Sequence, residues 1–284
     1  MLLPTAATAL AADTYWNGAI GTPLLWLVPG NWTAGLPTIS NVAYIANDGT
    51  ATIGLGESPL AGTLKLGLGN FNEGGGNIVQ SGGSLTAATL TLGGGCSFPS
   101  GAPYPATYTL NGGALTVTGP LNLGGGYFNP GGGSVVQTGG TLTTMSLYLS
   151  AGVNPVTGLP LAANYSLSDG LLASGMLQIY SAGTHLFQQT GGTVSLSSGG
   201  LYLSALKNYT TGDLYTSRYD LSAGLLAAPT LKLAGLGNSI FQQTGGQATL
   251  TPGASGQADQ RVTIGESWSG GEYSGNYQLY APGN

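Results

Sequence analysis

Few residues in this chain are suited to covalent or acid–base chemistry. There is one histidine, His185, and one cysteine, Cys96, 89 residues apart. A nucleophilic relay needs a base held by an acid. No acid shares the column of His185, which Ser239 occupies one period later. His185 is therefore expected at the surface, without a catalytic role. Metal centres need clustered His, Cys or acids, and glycoside cleavage needs a carboxylate pair. The ten acids are dispersed: Asp169 and Asp220 lie near turns, and Asp213, Glu266 and Glu272 lie in or near loops. Cys96 has no second cysteine to pair with and reads as a free loop thiol. No residue is assigned to catalysis, a cofactor or a metal, and the chain reads as a non-enzyme.

Amide and phenol side chains are better ordered. Phe187-Gln188-Gln189-Thr190-Gly191-Gly192 returns unchanged at Phe241-Gln242-Gln243-Thr244-Gly245-Gly246, 54 residues later. Looser copies carry Gln80 and Gln137. A sister motif has Leu in place of this Gln and opens on Tyr108, Tyr165, Tyr219 or Tyr277. The two kinds alternate along the chain. Each Gln shares a face with the aromatic position two residues before it, so its amide should be partly buried. A buried amide has to be hydrogen-bonded. Leu intervenes on alternate units, so Gln cannot stack on Gln. Each amide is predicted to bond the backbone of its own Gly-Gly turn or of the adjacent unit, a structural role.

The elements that position these residues follow from a fixed internal period, the mark of stacked repeats. Counting from the second Gly of each turn, aromatic or aliphatic residues lie five before, Gln or Leu three before, and Leu, Val or Ala two after. This is period-2 alternation with one buried face. A third apolar pair follows in each unit, from Leu90/Leu92 to Val262/Ile264. The predicted fold is all-β: a parallel β-solenoid with about three short strands per coil, alternating Gln-type and Tyr-type coils. An antiparallel sandwich would want two-residue hairpin turns between complementary strands, which the like-follows-like spacing disfavours. Every second coil is expected to carry a longer loop, at 93–107, 150–164, 204–218 and 265–276. In register, such loops would sit about 9.6 Å apart, twice the strand spacing.

Composition bounds the function. Charged residues are 5% of 284 and the formal net charge is −5. Lys65, Lys207, Arg218, Lys232 and Arg261 are scattered singly, so the basic footprint of a nucleic-acid binder is missing. No apolar run has transmembrane length. The 42% hydrophobic content, placed in register, argues for a long thin core and against disorder.

Residues 1–12 read as a signal-peptide remnant, with Ala9-Leu10-Ala11 as a small-x-small site. Residues 13–45 form a Trp-rich N-terminal cap, and 46–284 the solenoid repeats. A solenoid exposes apolar surface at its ends, so atypical end units are expected. Tyr15-Trp16-Asn17-Gly18, Gly30-Asn31-Trp32-Thr33-Ala34-Gly35-Leu36-Pro37 and Asn41-Val42-Ala43-Tyr44-Ile45 together resemble the opening of secreted, Gly-rich β-repeat surface proteins of environmental bacteria. These include autotransporter passengers and exoproteins with sorting signals. The resemblance implies export and a place outside the cell or on its surface.

The expected function is that of a non-enzymatic extracellular structural protein, a self-assembling fibre subunit stacking head to tail. Trp16, Trp26 and Trp32 of one copy would then meet Leu279 of the next. The alternative is an adhesin that binds glycans through loop aromatics, namely Tyr104, Tyr209, Tyr215 and Tyr273. The partners expected are thus further copies of the chain, or glycans, with no cofactor.

Overall fold

The computed structural model describes residues 12–18, 23–67, 74–93, 95, 100–124, 131–154, 156–208 and 211–251, and the backbone of 262–266 and 275–279. Within them the chain winds into a parallel β-solenoid. Every pairing between named strands is parallel. No helix among the described residues is long and apolar enough to cross a membrane.

Each coil has three faces. The first is built from strands such as Gly76–Gln80, Ala106–Leu110, Gly133–Gln137, Ala162–Leu167 and Asn238–Gln243. A Gly turn leads to the second face, whose inward column is Leu85, Leu115, Leu142, Leu172, Val194 and Leu226. The third face carries two inward columns. One runs Ala43, Leu64, Leu90, Leu121, Leu147, Leu177, Leu201, Leu231, and all are buried. Period-2 strands stacked in register thus produce one continuous apolar core.

The corners are not alike. Between the first and second faces the chain turns at a glycine, which follows another glycine in each Gln-type coil. There Gly192 has φ 62° and Gly224 φ 87°, left-handed values that favour glycine. A Cβ on Gly224 would also stand 2.4 Å from the Gly192 carbonyl oxygen, so the stacked turns leave no room for a side chain. The second corner departs from the expected three separate strands. Ser84–Leu92, Ala114–Leu123, Thr141–Leu149 and Leu171–Ser181 bend through it as single strands. Register shifts absorb the bend, at 144/146 and 174/176 for example. Buried hydroxyls occupy that corner in two coils: Thr144 donates to the Gly119 carbonyl at 2.9 Å and Ser174 to the Met176 carbonyl at 2.7 Å. Thr184–Ala205 is continuous through all three faces.

The Trp-rich segment is not a separate unit. Thr14–Tyr15 and Val42–Ile45 pair on the third face, and Pro23–Leu25 pairs with Thr50–Thr52 on the first. Trp16 and Trp26 both meet Trp32 edge-on, with ring centroids 4.9 and 4.8 Å apart. The Trp32 indole donates to the Trp26 carbonyl at 2.9 Å. All three are buried, at 3%, 0% and 3% exposure. They belong to the chain's own core beside its first described strands, which corrects their assignment as side chains available to a second copy.

This column assignment has a stability consequence. Leu221 is buried in the core, whereas Asp213 lies in an exposed loop. Leu221→Ala is expected to cost about 2–5 kcal/mol, and Asp213→Ala within roughly 0.5 kcal/mol. Equal shifts of the two variants in chemical denaturation would refute the assignment.

Candidate functional site

The repeated polar residues meet inside the solenoid. Gln189 is buried, and its Nε2 donates to the carbonyls of Gly192 in its own turn, 3.3 Å, and Leu225 in the following coil, 3.0 Å. Its Oε1 accepts from the Tyr219 hydroxyl of that following coil at 2.6 Å. Gln137 repeats this with Gly140 at 3.3 Å, Leu171 at 3.0 Å and Tyr165 at 2.5 Å. Gln80 does so with Gly82 at 3.1 Å, Ala114 at 3.0 Å and the hydroxyl of Tyr108. Gln243 donates to Gly246 at 3.3 Å. Its remaining counterparts fall in the Tyr277 coil, where Tyr277 pairs with Phe241 and Leu279 with Gln243 through the backbone; the Tyr277 and Leu279 side chains lie outside the described residues.

Sequence reasoning found the backbone partners of the glutamines and missed the phenol. The signal was present: Tyr occurs at the aromatic position in those coils that have Leu at the Gln position, and Ile, Val or Phe takes its place where Gln is present. Burial pushes the hydroxyls of Tyr108, Tyr165 and Tyr219 well above the usual phenol value, with Tyr165 adding to the rise at Tyr219. They therefore stay protonated and act as donors. Their rings join the aromatic column. Tyr165, Phe187, Tyr219 and Phe241 stack with centroids 4.7, 4.7 and 5.5 Å apart. Gln188, Asp220 and Gln242 point outward, where Arg218 bonds Asp220 and Gln242, each at 2.6 Å.

His185 corrects the expectation of a surface residue: it is fully buried. It shares an inward column with Ala163, Ser217 and Ser239. Neither ring nitrogen has a hydrogen-bond partner, nor has the Ser217 hydroxyl. Burial pulls the imidazole down to about 4. The nearby Ala182 backbone raises it in part, without reaching hydrogen-bond geometry. Ser239 differs, accepting from the Ala205 amide at 3.1 Å and donating to the Ala234 carbonyl.

Two of the long loops, at 150–164 and 204–218, form short hairpins through the antiparallel bridges Val153–Pro160 and Lys207–Leu214. In one, Leu161 N donates to Gly152 O at 3.0 Å; in the next, Tyr215 N donates to Leu206 O at 3.1 Å. Asn154 reaches across to the Gly101 carbonyl of the loop two coils before. Tyr104 and Tyr215 are buried beneath their loops, which corrects their assignment as outward-facing aromatics. Cys96, Tyr209 and Tyr273 lie outside the described residues. Also unforeseen is an outward column on the third face, Tyr148, Gln178 and Tyr202. Its signal was the residue held between each pair of apolar core positions. Among the described residues no three His, Cys, Asp or Glu come together. No family model, curated protein or solved structure matches the chain.

Two tests follow from this interior. Phe is native to the aromatic column, so Tyr219→Phe removes one hydroxyl without changing the packing. It is expected to cost about 1–3 kcal/mol by leaving Gln189 Oε1 unpaired. In a Gln189→Leu background the same change should cost markedly less, and a double-mutant cycle in urea measures the coupling. Additive effects would dissolve the pair. The second test is pH. A histidine at about 4 when folded and about 6.5 when unfolded is protonated first in the unfolded chain. Its contribution is thus intact above about pH 6.5 and is lost as pH falls towards 4, by about 3 kcal/mol in full. His185→Ser, which installs the residue of the next two coils in this column, should flatten the stability profile over that window. An unchanged slope would mean that the ring is not held neutral.

Proposed function

We propose that this chain is a non-enzymatic structural protein of the cell exterior, a stiff rod able to assemble head to tail. One observation carries the reading: the repeated polar side chains of the interior are used to join one coil to the next. Gln80, Gln137 and Gln189 each bind the turn of their own coil and two groups of the following one. The one histidine is fully buried. Export is supported by the resemblance of residues 15–45 to secreted repeat proteins and by the small-x-small site at 9–11. Self-association is supported by the segment beside the tryptophan cluster, where Leu25, Leu27 and Val28 are exposed at 53%, 39% and 42%. That surface, and not the tryptophans themselves, would meet the next copy. Glycan binding through the loop tyrosines loses its footing at Tyr104 and Tyr215.

Small-angle scattering and analytical ultracentrifugation of the purified chain test this. The expected particle is elongated, with coils stacked about 4.8 Å apart, and its weight-average mass rises with concentration. Leu25→Ser with Val28→Ser should suppress that rise. A compact particle, or a monomer at every concentration, would overturn the assembly. Protease treatment of intact cells should remove the chain from the outside; complete protection would overturn the location.

A further inference from the structure

The outer side of the third face carries a pattern that the interior joints do not use. Between the two buried core residues of each strand one side chain points outward. In successive coils these are Asn122, Tyr148, Gln178, Tyr202 and Lys232, paired in register. All five are partly exposed. Tyr180 stands at the next outward position, its ring centroid 6.0 Å from that of Tyr148 at an interplanar angle of 77°. The Lys232 ammonium lies 5.6 Å from the centre of the Tyr202 ring. No acid interrupts the column from Tyr15 to Lys232, and only Lys65 and Lys232 are charged in it.

These groups are held on rigid strands, one per coil, at a spacing of about 4.8 Å. Tyr148 and Tyr202 therefore stand about 9.6 Å apart with an amide between them. A phenol ring offers an apolar face and a polar tip with little entropy to lose. Asn122 and Gln178 each offer both donors and an acceptor. Rings alternating with amides on a flat neutral surface match a pyranose chain, whose C–H faces seek aromatic rings and whose rim of hydroxyls seeks amides. An extended β-linked pyranose chain advances by close to one coil spacing per sugar. The single cation at the Tyr202 end is not the row of cations that an acidic polymer calls for. We propose that this face binds an extended, uncharged polysaccharide lying along the solenoid axis, centred on Tyr148, Gln178 and Tyr202. The proposal does not depend on whether the rod assembles.

Affinity electrophoresis of the full chain tests it, in gels containing hydroxyethylcellulose, xylan or alginate. The variant is Tyr148→Thr with Tyr202→Thr, since Thr91 occupies the same column in an earlier coil. Circular dichroism and thermal melting report its fold, and Gln178→Ala serves as an independent second variant. The wild type should be retarded by at least one of the two neutral polymers. The double variant should bind roughly tenfold more weakly or worse, Gln178→Ala should bind more weakly, and Gln188→Ala on the first face should bind unchanged. The proposal is overturned if no neutral polymer retards the wild type, or if alginate alone does. It is equally overturned if the tyrosine variant binds as well as the wild type. Should the variants instead lower the sedimenting mass in the absence of polysaccharide, the face belongs to a second copy of the chain.

Discussion

The structure depends on how a buried glutamine amide is satisfied at the Gly-Gly corner. The backbone ladder runs on through that corner, with Leu171 N donating to Gly140 O and Ala114 N to Gly83 O, each at 2.9 Å. A carbonyl has a second lone pair to offer, whereas an amide buried without partners is costly. A glutamine amide has two N–H donors and one acceptor oxygen. One donor serves the turn of its own coil and the other the corner of the coil that follows. The oxygen is then left over and takes the tyrosine hydroxyl of that following coil. One glutamine therefore draws on two corners, and its oxygen takes a tyrosine hydroxyl that the following coil must supply. This is a physical reason for the strict alternation of Gln-type and Tyr-type coils, and it makes the coil pair the structural repeat. Two corresponding glutamines are 52 to 57 residues apart, however the loops between them vary.

The joints are directional. Each glutamine reaches forward along the chain, so the glutamine joints tie each Gln-type coil to its successor; its predecessor meets it through backbone ladders, apolar columns and single contacts such as Thr144 to Gly119 O and Arg218 to Gln242. A solenoid is held by nearest-neighbour contacts. Its stability should thus be uneven at the period of two coils. In the first described coils three indoles pack edge to face in the core and bring a large apolar volume that no repeated leucine supplies.

The fold was legible because register, unlike packing detail, is written in spacing. The positions of Gln189, Leu221 and Phe241 relative to their glycines already place them in shared columns. What was missed depends mostly on groups outside the repeat. His185 breaks a column of small residues, and its place two before Phe187 and four before Gln189 already puts it on the inward face by period 2; the expectation of a surface residue followed its polarity instead. Tyr104 and Tyr215 sit in loops, where the period-2 rule has no force, and only the folded loops bury them. The second corner was expected to break the strand. A register shift bends it instead, in strands with Ala87 or Val117 at the corner as in those with Thr144 or Ser174. The phenol partner of each glutamine lies 28 to 30 residues away, and it shows only when the two columns are read together.

The poverty of charge follows from the same register. In a stacked repeat, homologous residues fall one above the other, so a charge written into the repeat becomes a column of like charges about 4.8 Å apart. Each neighbouring pair would cost about 1 kcal/mol in bulk water and several-fold more where the effective dielectric is lower. A charge is tolerable only when it occurs once in its column or brings its own partner. Lys65 and Lys232 share a column with five coils between them, and each lies over a tyrosine of the preceding coil. Arg218 bonds Asp220 on its own strand and Gln242 on the next. Uncharged polar and aromatic side chains carry no such penalty, and stacking rewards them through hydroxyl ladders such as Thr63–Thr89 and ring contacts such as Tyr15–Tyr44. Low charge is thus favoured by parallel stacking itself and carries no information about where the protein resides, whereas outward tyrosines and amides can recur in a column without repelling one another.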